Sequence, residues 1–299
     1  MKNKNQNKVI VGTWSLSGDF GYVKKNIVYK TLDTAVKNNF LEFDTAPTYG
    51  FGKIHKILSE MFKNDKKIKI NTKCGYNANN KKTFKLVDIE KSINKSIKAF
   101  GKVHTLFLHN PRDEIKNFDK VINLLDKYKK EGLVKYTGIS LARDYYFEKK
   151  IMDRFDFLQD ELNLLRTNPI TFLKNFKPKI MARSPFASGC LTGKLNRNSK
   201  FFKSDYRSQW LNESSRRNNI LHQINLIKKN QKIPIRILSK NFLFQNKDIN
   251  KIIFGVKKPL HINEIKKNII NFENIKLNDQ EKILKLNKEN FYLNDKIGY

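Results

Sequence analysis

Apolar residues gather in short runs along this chain, and the stretches between them repeat apolar positions at three- and four-residue steps. The runs fall at residues 8–14 (KVIVGTW), 40–45 (FLEFDT), 67–73 (KIKINTK), 103–109 (VHTLFLH), 134–140 (VKYTGIS), 154–162 (RFDFLQDEL), 178–184 (PKIMARS) and 251–256 (KIIFGV). Runs of this length and composition predict strands. The intervening spacing predicts amphipathic helices, among them 25–39, 52–64, 86–100, 115–131 and 214–230. Strand then helix, repeated eight times, is the pattern of parallel βα units. In 299 residues its economical closure is an α/β fold of the (β/α)8 TIM barrel type, a single domain over 1–299 with its active site at the C-terminal ends of the strands. The rival is an open doubly wound sheet, which advertises GxGxxG after its first strand. Here the first run ends in GTWSLSG, and the nearest imitation, GFGKIH at 50–55, lacks the third glycine. Residues 194–213 lack helical periodicity and carry several aromatics, which predicts a long loop over one barrel face.

Composition narrows the class. Hydrophobic residues make up 39% of the chain, too many for disorder despite the charge. The net charge of +32 raises a nucleic acid or an anionic membrane as a partner. The lysines lie along nearly the whole chain among abundant Asn and Ile, and no recognition helix, zinc finger or RNA-binding signature accompanies them, so neither partner is expected. With only Cys74 and Cys190 there is no disulfide framework, and no HExxH or CxxC occurs. His55, His104 and His222 have no ligand spacing, and no metal is expected. Residues 1–14 hold no long apolar run and no stretch of about 18 apolar residues occurs, so a soluble, cytoplasmic protein is expected.

Chemistry concentrates at the ends of three consecutive predicted strands. Asp44 ends the second and Tyr49 follows it in FDTAPTYG, Lys73 ends the third, and His109 ends the fourth. Each has a plain structural use: Asp44 as a helix cap, Lys73 as a snorkelling side chain, Tyr49 as rim packing, His109 as a donor to a loop carbonyl. Together they would converge over one mouth of the barrel, where a barrel of this type carries its chemistry. Cys74, beside Lys73, has no base motif near it and is expected to pack.

The motifs GTWSLSGDFG, FDTAPTYG, INTKCG, LFLHNP, KYTGIS and ARSPFASGCLTGK, in this order, resemble the aldo-keto reductase superfamily from about Val9 to about residue 265. The resemblance implies a (β/α)8 barrel that reduces aldehydes or ketones with a nicotinamide cofactor, NADP(H) favoured and NAD(H) the alternative. The physics of Asp44, Tyr49, Lys73 and His109 agrees with that role: hydride arriving at a carbonyl carbon builds charge on oxygen, which Tyr49 would quench as general acid, with Lys73, held by Asp44, favouring the ionised phenol and His109 orienting the carbonyl oxygen. It implies cofactor contacts from Thr13 and Trp14 after the first strand, and from Ser140 and Gln159 at the fifth and sixth strand ends, with Asn163 a weaker candidate. After the seventh strand it implicates Arg183, Ser184, Pro185, Ser188, Gly189, Leu191, Gly193 and Lys194. After the eighth it implicates Gly255, Lys257, Lys258 and His261, with the two lysines on a 2′-phosphate. Leu141 stands where the family commonly has Asn. Arg183 stands where many members stack a tyrosine on the nicotinamide, and a planar guanidinium also stacks. The partner expected is a small-molecule carbonyl compound, with sugars, small aldehydes and ketones all open, as is the oligomeric state. Trp14, Phe20, Phe201, Phe202, Tyr206 and Trp210 are candidates to line its pocket. Two other functions compete: a cofactor-binding regulatory subunit without turnover, and a basic nucleic-acid scaffold.

Overall fold

A computed structural model describes residues 5–63, 65–229 and 233–270. Positions 64 and 230, at the ends of two expected helices, and residues 271–299 of the expected single domain lie outside the described residues.

The chain alternates strands and helices in the order β1 (Val9–Gly12), α1 (Lys25–Lys37), β2 (Glu42–Asp44), α2 (Lys53–Phe62), β3 (Lys69–Cys74), α3 (Leu86–Phe100), β4 (Val103–His109), α4 (Phe118–Lys130) and β5 (Val134–Ser140). There follow α5 (Lys149–Met152), β6 (Phe157–Glu161), α6 (Asn168–Leu173), β7 (Lys179–Arg183), α7 (Ser208–Leu211), α8 (Ser214–Lys228), α9 (Ile235–Gln245), β8 (Ile249–Gly255) and α10 (Pro259–Ile270). The eight strands pair in sequence order, all parallel, and β1 pairs with β8, so the sheet closes into the expected (β/α)8 barrel.

Two apolar layers hold it. The larger lies between sheet and helices, each of which buries one face. In α3 that face is Ile89, Ile93, Ser96 and Phe100, and in α4 it is Val121, Ile122, Leu125 and Tyr128. Each such large apolar side chain contributes about 1.5–3 kcal/mol relative to exposure. The smaller layer plugs the lumen with Ile10, Phe107, Phe157, Met181 and Ile253. Side chains in a strand alternate faces, so the residue two further on points the same way, one level higher. Two positions beyond the plug stand Gly12, His109, Gln159, Arg183 and Gly255, and all of them line one cavity above it. The floor of the site is thus fixed by strand period.

The long loop after β7 behaves largely as expected. It bends back over the C-terminal face, where Asp205 bridges Phe20 in antiparallel fashion and Tyr206 N donates to Asp19 O. Its only regular helix is α7, a single turn that buries Trp210 in the main core. Among the described residues no helix is long and apolar enough to cross a membrane.

Candidate active site

β2 and β3 lie in register with Asp44 beside Asn71, so Lys73, two residues on, rises one level above Asp44 on the inward face. Its ammonium has three protons and all three are used: Nζ donates to Asp44 Oδ1 at 2.7 Å, to the Thr45 carbonyl at 2.9 Å and to the Tyr49 hydroxyl oxygen at 3.0 Å. Lys73 and Asp44 are almost wholly buried. Tyr49 reaches them from the turn after β2, which Gly50 permits: it adopts φ +57, and a Cβ there would stand 2.9 Å from the Ser17 carbonyl oxygen. The Tyr49 ring stacks on Trp14 at 5.9 Å between centroids and meets His109 edge-on at 6.4 Å. The four residues read as catalytic therefore stand at one mouth of the barrel.

Burial and charge compete over their protons. Burial disfavours the Lys73 ammonium, but Asp44 and Tyr49 together outweigh it and hold the lysine above its ordinary value. For Tyr49 burial is the largest influence and raises the phenol. Lys73 and Arg183 pull it down and Asp44 pushes it up, and the balance lies above the ordinary tyrosine value of 10.0. Lys73 does act toward a more acidic phenol, as the sequence suggests, yet burial exceeds it and Tyr49 holds its proton. His109 lies well below its ordinary 6.5, first through burial, then through Lys73 and Arg183, so its imidazole is neutral. Burial also raises both thiols, Cys74 and Cys190, to about 12, which fits packing and not nucleophilic use.

The cavity above these residues encloses about 740 Å³. Of the residues expected to hold a cofactor, Trp14, Ser140, Gln159, Arg183, Ser184, Pro185, Ser188, Gly189, Lys194, Gly255, Lys257, Lys258 and His261 line it. Ser140 Oγ donates to Gln159 Oε1 at 2.9 Å, and Gln159 Nε2 donates to Asp44 Oδ2 at 3.0 Å, tying the β5 and β6 ends to the lysine pair. Lys257 Nζ donates to the Phe20 carbonyl at 2.6 Å, and Lys257 N donates to His261 Nδ1 at 3.2 Å.

Thr13, Leu191 and Gly193 are not among the lining residues. Thr13 is buried and gives its hydroxyl proton to the Asp44 carbonyl at 2.9 Å, Leu191 is buried in the core, and a Cβ on Gly193 would face Ile235 of α9. Asn163 lies behind the site, its amide donating to the Ser184 carbonyl at 3.1 Å. Of the aromatic candidates, Trp14, Phe20 and Phe201 line the cavity; Tyr206 packs on Trp14 and Phe20, while Phe202 is exposed.

Other wall residues escaped the sequence reading. Arg236 and Lys240, a basic i,i+4 pair in α9, line the cavity together with Glu264 of α10. Arg236 Nη1 pairs with Glu264 Oε2 at 2.8 Å, while burial and Arg236 lower Lys240 to about 8. Arg207 pairs with Asp205 at 2.6 Å and lies over the Phe201 ring at 4.4 Å. Tyr76 and Asn110 also line the cavity. Among the described residues no group of His, Cys, Asp and Glu could hold a metal ion.

Solved structures share this fold. Glycerol dehydrogenase from Gluconobacter oxydans superposes with a TM-score of 0.74 at 19% identity, over 93% of this chain and 90% of that one. An aldo-keto reductase from Bacillus halodurans in its holo form gives 0.70 at 14% identity, over 93% and 91%. A thermostable aldo-keto reductase in complex with the inhibitor epalrestat gives 0.63 at 16%, over 94% of each. A comparison with curated proteins gives no match. The model of the aldo/keto reductase family matches residues 8–287, and the chain belongs to that family of oxidoreductases.

Proposed function

We propose that this protein reduces an aldehyde or ketone to the alcohol, with Tyr49 as proton donor and a nicotinamide cofactor as hydride source. The observation that carries this is the Lys73 ammonium, fixed between Asp44 at 2.7 Å and the Tyr49 hydroxyl at 3.0 Å on the cavity floor. An ammonium has no lone pair, so the phenol proton is not taken up by Lys73 and is left to point into the cavity. The neutral His109 carries one N–H with which to bind a carbonyl oxygen and share the charge that develops there. When the proton leaves Tyr49, the phenolate stays beside Lys73, which stabilises it. Buried Asp44 keeps the lysine charged, and the plug beneath the floor excludes water from below.

The residues present fit a dinucleotide. Ser184, Ser188 and Gly189, small residues with positive φ, line the cavity and let a bound group approach the backbone closely. Arg207, Lys194, Arg236 and Lys240 add positive charge along the same wall, which suits a pyrophosphate. Lys258 and Lys257 are the residues to take a 2′-phosphate, which favours NADP(H) over NAD(H). The bound cofactor supplies a hydride, and every proton comes from the chain. The intact Asp44, Lys73, Tyr49 and His109 set favours turnover over a sensor role, since binding alone has no use for a proton donor.

A thermal-shift series with NADPH, NADH and neither tests the cofactor part. Selective binding to the folded state raises the midpoint, with NADPH above NADH. No shift with either nucleotide contradicts the proposal.

A further inference from the structure

We propose that Arg183 makes this protein discriminate between the redox forms of its nicotinamide cofactor, holding the neutral reduced ring more tightly than the cationic oxidised one. The inference rests on the reading of the cavity as a nicotinamide site and adds to it a residue that sets which form is held.

Arg183 ends β7 two positions beyond Met181 of the lumen plug, so strand alternation turns its side chain inward to line the cavity floor. Its Nη2 donates to the Leu141 carbonyl oxygen at 3.2 Å, which anchors the guanidinium on the β5 side. Its charge is felt on the far side of the floor, where it lowers the proton affinity of both Tyr49 and His109. A ring that delivers hydride to a carbonyl held by Tyr49 and His109 must lie against those two side chains. It therefore lies inside the same field.

Most other charges near the floor are paired among themselves. On β2 and β3, Asp44 and Lys73 form a pair at 2.7 Å. On β6, Glu161 is held by Arg143 at 2.5 Å, and Asp160 by Arg166 at 3.0 Å. Glu161 and Asp160 both also interact with Arg183, yet the Arg183 charge still acts on Tyr49 and His109. Lys82, from the loop after β3, also acts on His109 but is itself paired with Glu114 at 3.2 Å. The reduced ring is neutral and indifferent to this potential, whereas the oxidised ring carries one positive charge and is repelled. In a site of low dielectric, a unit charge at ring-contact distance separates the two affinities by tenfold or more.

The test is equilibrium binding of NADPH and NADP+, measured by calorimetry on the full chain and on Arg183→Gln and Arg183→Lys. The wild type is expected to bind NADPH at least tenfold more tightly than NADP+. Arg183→Gln should shrink that ratio at least fivefold, mainly by tightening NADP+, while Arg183→Lys, which keeps the charge, should retain most of it. A side chain that only stacks on the ring or props the loop would change both affinities together and leave the ratio alone. Calorimetry is read only on variants whose melting curves show a folded state, and Arg183→Met stands in for Arg183→Gln if the amide does not fold. An unchanged ratio in the uncharged variant overturns the proposal. Binding of neither nucleotide by the wild type overturns the nicotinamide reading itself, and this inference with it.

Discussion

The Lys73 ammonium lies 3.0 Å from the Tyr49 hydroxyl oxygen and gives it a hydrogen bond it cannot reciprocate. The lysine is thus placed to stabilise the phenolate left behind after proton transfer. Lys73→Met should cut carbonyl reduction by about 10²-fold, the scale of losing a general acid. Loss of the ammonium removes the larger of the two charges that oppose burial, so the phenol becomes a still weaker acid. The Lys73→Met, Tyr49→Phe double variant should resemble the worse single one, because residues acting as a unit do not lose activity additively. Steady-state rates of all three with one aldehyde check this, and multiplicative losses would separate the two roles.

Cofactor choice should divide between two adjacent lysines. Lys258 is exposed at the cavity wall, whereas the Lys257 amine is tied to the Phe20 carbonyl at 2.6 Å. Lys258→Ala should weaken NADPH binding by about 1–3 kcal/mol and leave NADH nearly unchanged. Lys257→Ala should weaken both, since it also frees the β1 loop that covers the cavity. Dissociation constants for the two nucleotides measure this, and equal losses in Lys258→Ala would reduce that residue to general positive charge.

Much of this was legible in the chain before it folded. The run 103–109 is β4, 134–140 is β5, and the periodic segment 86–100 is α3, because the apolar spacing in each matches the period of its element. The run at 8–14 overshoots, since after Gly12 the chain turns into a short 3-10 helix at Trp14–Leu16. The run at 154–162 begins early, because Asp156 caps the entry to β6: its carboxylate accepts from Thr137 N at 2.8 Å and Lys129 Nζ at 2.7 Å. Catalytic candidates could be read because strand ends deliver side chains to one mouth. Lys240 could not, since periodicity says which helical face is buried and not that a buried lysine faces a cavity. The direction of the Tyr49 shift also needed coordinates: a sequence shows the neighbouring lysine but not the burial that outweighs it.

Acid should weaken the fold through His55. Its ring is buried against Phe100 at 4.5 Å and beside Thr72 Oγ1 at 3.3 Å, and burial, then Lys95, lower it from 6.5 to about 4. The folded state holds the neutral ring, while the unfolded chain binds a proton below 6.5. The stability contributed is therefore fully present above the unfolded value and is lost as the pH falls toward about 4, by up to about 3 kcal/mol. Melting temperatures across that window should drop in the wild type and drop less steeply in His55→Gln. His104, likewise lowered to about 4 but partly exposed, accounts for part of the remaining slope. Parallel curves for the two proteins would remove His55 from the account.

The central claim is that Tyr49 supplies the proton. Tyr49→Phe keeps the ring that stacks on Trp14 at 5.9 Å and removes only the hydroxyl held by Lys73. The direct measurement is NADPH oxidation with a reactive aldehyde, alongside NADPH affinity, in wild type and Tyr49→Phe. Turnover should fall by at least about 10²-fold while NADPH binding stays nearly unchanged. Retained turnover in Tyr49→Phe would contradict the assignment and place the proton donor elsewhere in the cavity.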